Sequence, residues 1–132
     1  MDEQAERFAK FQETLSGATL DGQYTMLRDD DTSQHPEKYT IQSIRKLPEG
    51  DFWLFQARIQ YGGKDVTVPL PLEVKWAGDT PVITLSRLNI PGLGTFSSRV
   101  VIDGDKYAGT WSHDQVGGHL FGTIQRKELN DE

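Results

Sequence analysis

The chain contains no cysteine. A disulfide framework, a thiolate zinc site and a cysteine nucleophile are therefore excluded together. Basic residues are also in short supply: 14 Lys and Arg stand against 20 Asp and Glu, a formal charge of -6 at pH 7. That balance argues against nucleic acid and anionic membrane as partners, because both recruit basic patches. No apolar run approaches the roughly 20 residues that a membrane-spanning helix needs. The acidic start, residues 1–4, lacks the basic and then apolar pattern of a secretion signal, so a cytoplasmic location is expected. No nucleophile elbow, P-loop, H-E-x-x-H or dinucleotide fingerprint is present. No catalytic residue, metal ligand or cofactor is assigned on these grounds.

What the sequence does have is alternation. Val66, Val68, Leu70, Leu72, Val74 and Trp76 occupy every second position, the period of a strand with one buried face. Trp53, Phe55, Ala57, Ile59 and Tyr61 alternate in the same way just upstream. Between the two runs lies Gly62-Gly63, which supplies the positive φ angles of a two-residue hairpin turn. Such a turn pairs Tyr61 with Lys64, Ile59 with Val66, Ala57 with Val68, Phe55 with Leu70 and Trp53 with Leu72. Both apolar sets then fall on one face. Pro69 and Pro71 land on pairs whose amide position points away from the hairpin partner. The strand over 65–76 should therefore pair fully on one side and poorly on the other.

The 132 residues fit one domain, with a core large enough to need no staples. Residues 1–16 read as a helical segment, with the helix over 3–15 and Gln4, Phe8, Phe11 and Leu15 on one stripe. Residues 17–127 read as a barrel and 128–132 as a polar tail. Strands are expected over 18–27, 38–47, 80–88, 95–103, 106–113 and 118–127, besides the central pair. The acidic and proline-containing run 28–37 reads as an exposed loop. Eight short strands at turn spacings of eight to twelve residues predict an all-β fold. An antiparallel up-and-down eight-stranded barrel with a short N-terminal helix is the expected architecture, and a two-sheet sandwich is the alternative.

Gly109-Thr110-Trp111 resembles the G-x-W signature of lipocalins and the G-T-W of avidin-like barrels, which share the calycin architecture. Here the motif lies on the penultimate expected strand rather than the first. The gap beside Pro69 and Pro71 resembles the opening between strands four and five of fatty-acid-binding proteins. In those the helical element follows strand one, whereas here it precedes it. The segments WAGDTPVITL, YAGTWSH and VGGHLFG are also similar to small bacterial proteins. The resemblance implies a calycin-like barrel with a small ligand inside, and fatty-acid-type barrels hold such a ligand with an interior arginine.

Arg45 is the candidate for that role. Strict alternation through Tyr39, Ile41, Ser43, Arg45 and Leu47 places it inside; a one-residue bulge turns it outward. His113 and His119 form a second candidate site. A loop centred on Val116 puts them on one face, and a turn at Gly117-Gly118 puts them on opposite faces. Ser112, His113 and Asp114 do not form a relay, since neighbours on a strand point to opposite faces.

The leading functional expectation is a non-catalytic binder of a small apolar or amphipathic molecule, lined by Tyr39, Arg45, Trp53, Phe55, Tyr61 and Trp76. The same aromatics can instead fill a solid core. The alternatives are an enzyme or metal site around His113 and His119, and an interaction module that receives a partner strand at the edge after strand four.

Overall fold

Thirteen residues of helix and eight strands appear in a computed structural model, which describes residues 2–126. The helix is α1 (Glu3–Leu15). The strands are β1 (Thr19–Arg28), β2 (Asp31–Lys46), β3 (Phe52–Tyr61), β4 (Lys64–Ala77), β5 (Thr80–Ile90), β6 (Gly94–Asp103), β7 (Lys106–His113) and β8 (Val116–Gln125). Each strand pairs antiparallel with its neighbour in sequence, and β1 pairs with β8 to close the barrel. The polar tail 128–132 lies outside the described residues. Among the described residues, no helix is long and apolar enough to cross a membrane.

The β3–β4 hairpin has the register that the alternation dictates, from Tyr61↔Lys64 to Trp53↔Leu72. Gly62 and Gly63 turn it with φ of 52° and 81°, angles that glycine adopts without strain. Trp53, Phe55, Ala57, Ile59, Val68, Leu70, Leu72 and Val74 are all buried on the inner face. Along its other margin β4 pairs with β5 over five residues only, Glu73↔Thr84 to Ala77↔Thr80. Among the described residues, 64–72, with Pro69 and Pro71, have no ladder partner on that side. The barrel is closed, yet the β4–β5 ladder covers only the end of β4 next to the 78–79 turn.

Two expectations are corrected. The run 28–37 is not a loop: β1 and β2 form one long hairpin that turns at Asp29-Asp30, with Arg28 opposite Asp31 and Glu37 opposite Gly22. Pro36 is accommodated opposite Gln23 within it. Further along β2 a bulge interrupts the register between Ile41 and Ser43. One extra residue flips every later side chain to the other face. Ile44 therefore enters the core at 1% exposure, while Ser43 and Arg45 are exposed. Of the two placements open to Arg45, the interior one that would make it a ligand anchor gives way to the outward one that a bulge produces.

The helix forms where its stripe demands burial. Asp2 caps it, accepting a hydrogen bond from the Ala5 amide at 2.7 Å, and Glu3 and Glu6 complement the dipole in the first turn. Phe8 and Phe11 stand edge-on to Trp53 with centroids 5.2 and 5.0 Å away, and both also contact Trp76. Phe11 and Leu15 are buried, so α1 plugs this end of the barrel. Gly17, at φ 84°, turns the chain out of the helix, and its amide bonds to the Ile41 carbonyl at 2.8 Å. Trp53 is 1% exposed, and its indole N–H has no partner among the described residues. A buried donor left so costs about 1–3 kcal/mol, which the aromatic packing has to offset.

Candidate functional site

The polar centre of the interior is built on one row of residues running across the sheet. Tyr107 on β7 lies opposite Gly122 on β8, which lies opposite Gly22 on β1, which lies opposite Glu37 on β2. Three strand spacings separate the ends of that row, roughly 14 Å of sheet. The two glycines leave its middle bare. The phenol of Tyr107 lies across them and donates to Glu37 Oε2 at 2.8 Å. A methyl group at Gly22 would stand 2.6 Å from the Tyr107 hydroxyl and 2.1 Å from the Phe121 carbonyl oxygen; at Gly122 it would stand 2.8 Å from the Tyr107 ring. Side chains at these positions would break the arrangement.

Tyr39, two residues along β2 and on the same face, donates to the other oxygen, Glu37 Oε1, at 2.7 Å. Glu37 is 3% exposed. Burial disfavours its charged form and pushes its carboxyl up to about 7, although both phenol donors pull it back down. Burial and the neighbouring carboxyl raise Tyr107 and Tyr39 well above the ordinary phenol range, so both are neutral donors at pH 7. Burial raises Tyr24 and Tyr61 too.

These groups border a cavity of about 170 Å³. Leu20, Ile41, Phe55, Leu70, Leu72 and Ile83 wall its inner part, and Tyr24, Tyr61, Leu93, Phe96 and Trp111 line the end away from α1. Tyr61, Leu93, Phe96 and Trp111 are only half-buried there, beside the turns at 62–63 and 91–93. Among the described residues, Glu37 is the single carboxyl in the lining, and no Lys, Arg or His belongs to it.

The expected site residues divide by location. Tyr39, Phe55 and Tyr61 line the cavity. Trp53 and Trp76 do not; they pack under the helix at the plugged end. Arg45 is exposed on the outer face. Trp111 crosses Gly118, its partner on β8, and donates to the Thr25 carbonyl of β1 at 2.9 Å. A Cβ at Gly118 would lie 1.9 Å from that same oxygen. The G-T-W indole thus ties β7 to β1 across β8.

The histidines follow neither expected register. The β7–β8 turn falls at Asp114-Gln115, with Asp114 at φ 57°, and pairs His113 with Val116 and Thr110 with His119. His113 and His119 therefore point to opposite faces. His113 packs against Phe96 with the rings tilted by 33° and centroids 4.4 Å apart, contacts the Thr95 carbonyl at 3.0 Å and lies 3.4 Å from Asp114. His119 is exposed and contacts Thr25. Among the described residues no group of three or more His, Cys, Asp or Glu is placed to hold a metal.

Glu37 and Tyr107 are the residues that sequence reasoning passed over. Glu37 sat in the run read as a loop, although it stands two residues before Tyr39 and shares its parity. No family model matches the chain, and no curated protein or solved structure matches it.

Proposed function

We propose that this protein is a non-catalytic binder of a small, partly apolar molecule, held inside a calycin-like barrel with its polar end toward Glu37. The observation that carries the reading is an apolar cavity lined, among the described residues, by one carboxyl and the phenols around it as its ionisable groups. Such a pairing of apolar wall and few convergent polar groups is the usual make-up of a ligand site. At about 170 Å³ the space suits a single ring or a short branched chain, since a dry cavity of about 150 Å³ accepts benzene. A long acyl chain exceeds it. The stretch of β4 without a partner offers a lateral way in. A partner strand would find that margin poor in donors, because Pro69 and Pro71 withdraw two of them.

Native mass spectrometry of protein purified from its own host, before and after denaturation, is expected to release a compound of that size. In parallel, benzyl alcohol added to the protein should shift the indole N–H resonance of Trp111 and leave that of Trp53 in place. Equal movement of both indoles, or of neither, would end the reading.

A further inference from the structure

We propose that the ligand is a small organic cation, a protonated amine on a single-ring or short branched body, with its ammonium at Glu37 and its body among Tyr24, Tyr61, Phe96 and Trp111. This rests on the binding function proposed above and narrows it to one charge type.

The charge pattern of the cavity leads there. Among the described residues no Lys, Arg or His forms an ion pair with Glu37, and none lines the cavity. The two phenols take one lone-pair site on each carboxylate oxygen and leave about one per oxygen open. An ammonium has the donors for these sites and brings the missing positive charge. The aromatic faces at the open end add a second attraction for a cation. A carboxylate ligand would meet Glu37 as a like charge, and a purely apolar ligand would leave its oxygens facing hydrocarbon. The interior chemistry is therefore opposite in sign to that of a barrel with an arginine anchor.

Three probes of one shape separate the options: benzylamine, benzyl alcohol and benzoate, titrated into the intact protein and followed by calorimetry and the Trp111 indole resonance. At about pH 8 benzylamine should bind at least roughly tenfold more tightly than benzyl alcohol, and benzoate more weakly than either. Lowering the pH to about 5 protonates Glu37 and should erase that preference. The titratable groups facing Glu37 are the phenols of Tyr24 from β1, Tyr39 on β2, Tyr61 from β3 and Tyr107 from β7, all raised by burial. His35 is the imidazole packed against Tyr24, with ring centroids 5.2 Å apart. The pH series is therefore repeated with His35→Gln, which should keep the dependence. Glu37→Gln should remove the amine preference at every pH; if it does not fold, the pH series on the unaltered protein decides. Alcohol or benzoate matching the amine at pH 8, a preference that survives in Glu37→Gln, or a pH dependence lost in His35→Gln would overturn the assignment. Failure of all three probes to bind would overturn the binding function itself, so the two failures are told apart.

Discussion

Trp53 and Tyr107 are both almost fully buried, at 1% and 2% exposure, but they stand in opposite surroundings. Trp53 is wrapped by the rings of Phe8 and Phe11, at the end that α1 fills. Tyr107 lies over two glycines and reaches a carboxyl beside a cavity. The aromatic content of the two regions is similar; the difference is what each region leaves unfilled. At the plugged end the helix supplies apolar mass, so the rings pack on one another and contribute stability. In the middle of the barrel glycines remove mass, and the rings are left with a polar partner and free space.

Truncating the packed end should have the largest effect. Trp53→Ala is expected to destabilise the fold by about 3–5 kcal/mol, read as a lower denaturant midpoint. A loss below about 1 kcal/mol would mean that the helix and its rings are not what holds this end together.

The second prediction concerns the cavity end and carries a sign. Glu37 titrates at about 7 in the fold against an ordinary 4.5. A raised carboxyl favours the fold most fully below about 4.5, and that contribution is lost as the pH rises through about 7. Glu37→Gln has no proton to lose. Its stability relative to the parent should therefore shift in its favour by up to about 3 kcal/mol between acid and alkaline pH. Paired denaturation curves across that range measure it. A parallel pair of curves would show that Glu37 is not held in a desolvated site.

The smallest expected effect is a control on the outer face. Arg45→Ala should change stability by no more than about 0.5 kcal/mol and leave benzyl alcohol binding as it was. A loss of binding would return Arg45 to the interior and contradict the bulge between Ile41 and Ser43.

Much of the barrel was legible because its signals are local. The period-two runs, the double glycine and the two prolines fix the β3–β4 register and the weak margin after β4, and the structure has both. The helix followed from the Phe8, Phe11 and Leu15 spacing in the same way. The misreadings came from signals that are not local. An acidic, proline-containing stretch resembles a loop, yet opposite β1 it extends as β2. Trp53 and Trp76 were legible as inward-facing, but not as covered by the helix. The histidine register depended on which of several turn-forming residues the hairpin used, and Asp114-Gln115 took the turn ahead of the glycines.

The sequence by itself determined that alternating side chains must share an inner wall, because a strand's period leaves an apolar row no other place to be buried. Only the tertiary structure decided which wall positions meet. Tyr107 and Glu37 lie 70 residues apart. They touch because β8 and β1 close the barrel with glycine opposite glycine, and no local preference of the chain encodes that juxtaposition.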